Sequence, residues 1–358
     1  SDVSYYKRYN FRVNSEHKMW NGLVTVGEHV GFVWKDTRGM GTGNIWNNNL
    51  RSAFSASPII PVYDADGNYN STVNSDWNVN DGNPYGNMMV NRYNNSKNGS
   101  LDANVYVQIE PIKNLRFKTV YGISYGASEY RAYTPKYQFT PQTANTVSKV
   151  NQSHGHGLSM VWTNTLSYDF NIATEHHVNA LIGSELSTYD GSNTEGSNTG
   201  LIPGFDDWDH AYLVNTNGTE NKTVKGSPYD STRGMSYFAR LGWTWKERYM
   251  VNATMRADGS SKFAKGNRWG YFPSVSAGWT ISEEKFMESV KSWFDFLKIR
   301  VSWGQVGNAN INCYQYLAPV STTNTNYNFG SGGGQDAWVT GSYTSRLANE
   351  KVKWETSE

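Results

Sequence analysis

The segment GHGLSMVWTNTLSYDF, residues 155–170, decides the fold class. His156, Leu158, Met160, Trp162, Asn164, Leu166, Tyr168 and Phe170 fall on one side of an extended chain. Gly157, Ser159, Val161, Thr163, Thr165, Ser167 and Asp169 fall on the other. Side chains of a strand alternate between faces with a period of two, whereas a helix would scatter Leu158, Met160, Trp162 and Leu166 around its axis. The segment is a strand with one apolar and one polar face. Tyr237, Ala239, Leu241, Trp243 and Trp245 repeat the pattern opposite Ser236, Arg240, Gly242, Thr244 and Lys246. Leu297, Ile299, Val301 and Trp303 repeat it opposite Lys298, Arg300, Ser302 and Gly304. Charges share these strands with tryptophans but not a face.

Working outward, strands are expected over 4–17, 23–35, 101–110, 115–130, 155–170, 176–189, 233–246, 249–258, 269–281 and 294–305, with an eleventh beginning at 351–358. Tight turns alternate with long loops at 36–99, 131–154, 190–232 and 306–350 and a shorter one at 259–268. Pro135 and Pro141 argue against pairing within the second long loop, and a short helix is expected over 282–288. Outer-membrane barrels join their strands in this way, with short periplasmic turns and long extracellular loops. The fold class is therefore all-β, a transmembrane antiparallel β-barrel of which about eleven strands are present. The turns at Trp20, Lys113, Ile172, Glu247 and Phe286 fall on the periplasmic side. Trp162, Tyr168, Trp245, Tyr249, Trp279 and Trp303 sit toward strand ends, as interfacial girdles require.

Composition agrees. Of the 358 residues, 15% are aromatic and 34 are glycine, while 37% are hydrophobic and the mean hydropathy is −0.65. A transmembrane helix needs about 20 consecutive apolar residues, which this chain lacks, whereas a barrel dilutes its apolar face with lumen and loops. A net charge of +1 offers no electrostatic footprint for nucleic acid. The single Cys313 forms no internal disulfide, and no cysteine spacing suggests zinc.

Several stretches closely resemble the SusC/RagA-type TonB-dependent transporters. They are RADGSSKF at 256–263, GNRWGYFPSVSAGW at 266–279, ISEEKF at 281–286, LKIRVSWGQVGN at 297–308 and VKWETS at 352–357, with RYNFR at 8–12 and VYDADGNY at 62–69. The resemblance implies a 22-stranded outer-membrane barrel, of which residues 1–358 form a partial β-barrel domain. It implies that the plug, the TonB box and the C-terminal strands lie outside this chain. It further implies import of oligosaccharides or peptides, energised through TonB and assisted by a SusD-like surface lipoprotein, with no enzymatic chemistry, cofactor or nucleic acid. Within the signature, Arg256, Asp258, Gly259, Ser260, Ser261 and Phe263 read as mainly structural. Gly259 is expected to supply a positive φ, and the two serines to cap free backbone groups.

Other constellations are weaker. Asp64-Ala65-Asp66-Gly67-Asn68 resembles the start of a calcium loop but lacks the acid at its twelfth position, where Ser75 stands, so an Asp-rich turn is the simpler reading. His154, His156, His176 and His177 have no spacing that fixes a metal site. Asp206, Asp207 and Asp209 surround Trp208 in a polar loop without a partner base, which argues against catalysis. Trp46, Trp77, Trp208 and Trp338, with Asp206, are the candidate substrate contacts: flat rings stack on sugars while carboxylates bond hydroxyls, or else the rings pack loop on loop. Outer-membrane import leads; a secreted or surface all-β carbohydrate-binding or adhesin module is the alternative.

Overall fold

A computed structural model describes residues 3–39, 49–73, 83–220, 222–228, 231–293, 295–322, 325–328 and 338–358. Among them, ten strands pair in chain order in one antiparallel sheet. These are β1 Tyr5–Met19, β2 Val24–Arg38, β3 Asn94–Ile112, β4 Leu115–Thr134, β5 Lys149–Ile172, β6 His176–Thr199, β7 Thr232–Trp245, β8 Tyr249–Ser260, β9 Trp269–Thr280 and β10 Lys298–Gly304. An eleventh strand, Thr223–Pro228, pairs with β6 off this path. The strand expected at the end of the chain begins as Glu355–Ser357 and pairs with Val306–Asn308, just beyond β10.

Register carries the two-faced pattern across the whole sheet. Tyr121 faces Trp162 and Trp162 faces Leu186, Leu241 faces Ala253 and Ala253 faces Val275, and Val275 faces Trp303. These side chains form a continuous apolar face on which Leu241 is 53% and Val275 47% exposed. The opposite face is bonded through polar groups. Arg116 pairs with Glu110 and Asp169, and Arg256 with Glu185 and Asp258. A large exposed apolar face on one side and charge on the other is what a barrel wall needs between lipid and lumen.

The strands are longer than the sequence pattern suggests. β5 and β6 each run for 24 residues, whereas about 9–11 suffice to cross a bilayer. The expected outer ends at 155 and 189 were set by the apolar period, which vanishes where both faces meet water, although backbone pairing continues. The expected loops shorten accordingly: β4 continues to Thr134 and β5 begins at Lys149. The first loop contains two short helices, Asn49–Ser55 and Pro84–Asn91. The helix expected over 282–288 is a pair of 3-10 turns, Ile281–Glu283 and Lys285–Val290.

The opposite ends of the strands close tightly. Trp20 (φ 50) with Asn21 (φ 57), and Lys246 (φ 51) with Glu247 (φ 56), adopt left-handed conformations in connections of four and three residues, between the pairs Met19–Val24 and Trp245–Tyr249. Beside these turns runs a row of stacked rings: His176 on Trp245 (5.9 Å), Trp245 on Tyr249 (5.5 Å) and Tyr249 on Trp279 (6.3 Å). Tyr237 and Trp269 stack nearer the other rim. The rise from Trp279 to Trp269 is about 25 Å at ordinary strand pitch and tilt, the height of an apolar membrane band.

Glu284 ties the turns together. It accepts hydrogen bonds from Tyr249 Oη (2.6 Å) and Trp279 Nε1 (3.1 Å) and pairs with Arg248 Nη1 at 3.4 Å. The Tyr249 hydroxyl above all, then Trp279 and Arg248, hold its carboxyl below the usual glutamate range. A lowered folded pKa gives stability that is complete above the unfolded value, about 4.3, and is lost as pH falls through the folded one.

Two outcomes are expected. Leu241→Arg or Val251→Arg should impair assembly of the intact barrel, by up to about 2–4 kcal/mol near mid-membrane, whereas Thr244→Arg or Thr254→Arg, on the polar face, should not; heat-modifiable mobility on gels measures this. In the same assay the parent barrel should lose stability on acidification below about pH 4.3, and Glu284→Gln should lose less.

Candidate ligand-binding cleft among the outer loops

The loops opposite the tight turns gather around the tips of β4 and β5. Tyr133, Val150, Leu201 and Ala211 form a small buried core against which Tyr93, Trp208 and Leu213 pack. Tyr133 Oη donates to the Asp206 carbonyl (3.0 Å) and to Asp206 Oδ1 (3.2 Å). Burial, reinforced by the Asp206 charge, pushes its phenol up. Arg131 lies 3.9 Å over the Trp208 ring and 4.2 Å over Tyr212, and its Nη1 donates to the Trp208 carbonyl (3.2 Å). Arg38 also approaches that ring (5.2 Å), and Tyr93 stacks on it at 6.2 Å.

A second aromatic group faces this one. Tyr63 stacks on Tyr69 (5.7 Å), Tyr69 meets Phe139 edge-on (6.4 Å) and Tyr137 stacks on Phe139 (4.9 Å). Asn83 fastens the group by accepting from the Gly86 amide (2.9 Å) as the N-cap of Pro84–Asn91 and donating to the Val62 carbonyl (2.7 Å). Between the two groups lies a cleft of about 500 Å³ lined by Tyr69, Arg92, Tyr93, Tyr133, Lys136, Phe139, Asp206, Asp207 and Trp208, among others. Flat rings and both signs of charge converge there. Such a lining has the chemistry to stack against apolar ligand faces and to form charge-assisted hydrogen bonds with polar groups.

Of the expected contacts, Asp206 and Trp208 meet at this cleft. Trp208 is wedged between arginines and Tyr93, so its rings serve the packing of the loops and only part of it borders the cavity. Trp338 begins a short strand, Trp338–Thr340, paired with Asn326–Asn328 in another loop. Trp46 and Trp77 lie outside the described residues. Asp207 accepts from the backbone amides of Asp209 and His210 (2.8 and 3.0 Å) and pairs with His210 Nδ1 at 2.8 Å. That His210 contact, chiefly its ring hydrogen bond, lowers the Asp207 carboxyl. Arg92, Tyr93, Lys136 and Phe139 were not singled out in sequence, although Arg92-Tyr93 and the aromatic run across Pro135 were the available signal.

The remaining constellations resolve into structure. Asp64 Oδ1 accepts the amides of Asp66 (3.1 Å) and Asn68 (2.8 Å), and Gly67 turns at φ 82, which is an Asx-type turn. His154 and His156 sit near the outer end of β5, opposite Thr194 and Ser192, while His176 and His177 start β6 beside Ile172 and Asn171; they do not form one cluster. In the signature, Arg256 Nε bonds both Asp258 oxygens (2.7 and 2.9 Å) and Nη2 reaches Ser236 Oγ (3.1 Å). Ser261 Oγ accepts the Arg233 amide (2.9 Å) and Ser260 Oγ the Lys262 amide (3.3 Å).

The expectation for Gly259 is corrected. It is extended within β8, and the Trp269 ring lies over it, 3.2 Å from where a Cβ would stand; the turn belongs to Gly266, at φ 101. Phe263 is fully buried against Trp354 (5.4 Å), whose Nε1 donates to the Arg268 carbonyl (2.9 Å). The signature thus seals this rim.

Comparison with known proteins agrees with this geometry. The family profile described as "TonB dependent receptor-like, beta-barrel" matches residues 34–358. TonB-dependent receptor P26 of Formosa agariphila is 27% identical over 98% of this chain and 33% of its own length. TonB-dependent receptor SusC of Bacteroides thetaiotaomicron is 42% identical over 34% of this chain and 12% of its own length. The structure of the RagAB peptide transporter superposes with a TM-score of 0.77 at 21% identity, covering 99% of this chain and 38% of that one. The chain spans about a third or less of the length of the curated relatives it matches. Fold, wall chemistry and family match lead to one conclusion: the chain belongs to the TonB-dependent receptor-like β-barrel family.

Proposed function

We propose that the protein containing this chain resides in the bacterial outer membrane and imports oligosaccharides or peptides through the barrel, energised by TonB. The cleft at the loop end carries this reading: it stands at the mouth of the polar face, opposite the tight turns, and combines stacking rings with charges of both signs. Ligand capture there is the first step. A SusD-like lipoprotein covers the loops, and a plug supplied from outside residues 1–358 gates the path beneath. Transport needs only binding, occlusion and release, so no covalent chemistry is assigned to these residues. The aromatic lining suits the glycan arm, and the fold shared with a peptide transporter suits the peptide arm. The continuous apolar face disfavours a secreted module, which would expose it to water.

In cells carrying the intact transporter, removal of the gene should abolish uptake of one member of a panel of labelled oligosaccharides and peptides; undiminished uptake of all of them would refute the import role. Arg92→Ala with Lys136→Ala should raise the half-saturating concentration about tenfold, the loss expected from charge-assisted hydrogen bonds, with surface expression unchanged by antibody labelling. An unaltered half-saturation would remove the cleft from the ligand path.

A further inference from the structure

The outward face of the wall carries a furrow of about 610 Å³ across β5 to β9. Leu166, Ile182, Tyr237 and Tyr271 are its large residues, and Asn164, Ser184, Ala239 and Ala257 lie between them. Register puts the furrow on the lipid side: Leu166 faces Ile182 and Ile182 faces Ala239. Ile182 is 58% and Tyr271 60% exposed. Two polar groups interrupt this face. Asn164 stands between Trp162 and Leu166 in the outward series of β5, and it faces Ser184, which stands between Ile182 and Leu186 in β6. Thr119, which faces Asn164 from β4, is engaged by Trp162 Nε1 at 2.9 Å. The Asn164 amide and the Ser184 hydroxyl have no hydrogen-bond partner among the described residues. Hydrocarbon cannot supply one, so polar side chains left there mark a contact with another polar group. Their depth is informative. Ile172 faces His176 at the level of the stacked rings, and Asn164 lies about 20 Å above it at ordinary strand rise and tilt. In an apolar band about 25 Å tall, that is just beneath the outer boundary, where a lipid carries the hydrogen-bonding groups at the head end of its acyl chains.

We propose that the furrow is a binding site for one outer-leaflet glycolipid with hydroxylated acyl chains, one chain lying along Ile182 and Ala239 while its hydroxyl or amide pairs with Asn164 and Ser184. The polar pair selects the chemistry. A carboxamide both donates and accepts, so a hydroxyl or an amide satisfies it, whereas the ester of an ordinary phospholipid only accepts. The shape selects a slender occupant. A helix is about 10–12 Å across with its side chains and would ride on Leu166 and Tyr237 without reaching the floor. A strand of another protein would bring backbone groups that need partners of their own. The inference rests on the membrane-wall reading and is independent of the cleft and its ligand.

The test uses the intact transporter purified from native outer membranes in mild detergent, with the lipid retained per barrel extracted and its 3-hydroxyacyl chains and phospholipid measured by mass spectrometry. The parent should retain about one hydroxyacyl glycolipid per barrel. Asn164→Leu combined with Ser184→Ala, which removes the polar pair, should lower that retention at least fivefold. Ala239→Phe, which fills the furrow and keeps the pair, should do the same. Val13→Leu, on the outward face of β1, should leave retention within twofold of the parent. All three changes keep the lipid face apolar, and heat-modifiable mobility identifies the variants that fold. A folded parent that retains only phospholipid, a polypeptide or nothing overturns the proposal, as does a glycolipid yield that either furrow variant leaves unchanged.

Discussion

Every backbone amide and carbonyl that enters a bilayer must find its partner within the protein, because hydrocarbon offers none. From β2 to β9 the sheet meets that demand on both sides of each strand, in unbroken sequence order, and β1 and β10 pair on one side. Pairing fixes register, and register decides which residues meet lipid: a slip of one residue would turn Leu241 inward and Arg240 outward. Once the ladder is satisfied, each strand needs only one apolar face. This is how a chain with a mean hydropathy of −0.65 builds a membrane wall.

The same constraint divides the labour between the two ends. Where strands must return at once, residues tolerate left-handed conformations, as Lys246 and Glu247 do, and charges such as Glu284 anchor the turn. At the far end the strands continue in water. There Tyr133 and Val150 become buried members of a small soluble core, while Arg131 and Asp206 spend their polar groups on fixing the loops. The cleft between the aromatic groups is thus held by ordinary globular packing raised on a membrane scaffold.

Much of this was legible in the residue order. Strands 155–170 and 233–246 announced themselves because lipid on one side and water on the other impose a strict period of two. The extension of β6 to Thr199 was invisible, since Gly191 to Thr199 are small or polar on both faces and only the backbone ladder holds them. The cleft was half legible. Asp206 and Trp208 stood out by type, but Arg92, Tyr93 and Lys136 come from segments far apart in sequence, and only the fold of the loops brings them together. Gly259 shows the opposite error: a glycine beside an aspartate suggested a turn, whereas the Trp269 ring on the neighbouring strand required the space.

The most direct test is the sidedness of the wall in living cells. With Cys313→Ser as background, single cysteines in the intact protein at Asp209 and Ala144, in the loops, and at Lys113 and Glu247, in the tight turns, are exposed to a membrane-impermeant maleimide. Labelling of Asp209→Cys and Ala144→Cys in intact cells, with Lys113→Cys and Glu247→Cys labelled only after the outer membrane is opened, is the expected result. Labelling of the turns in intact cells, or equal labelling of all four positions, would contradict a wall that crosses the membrane with its loops outward.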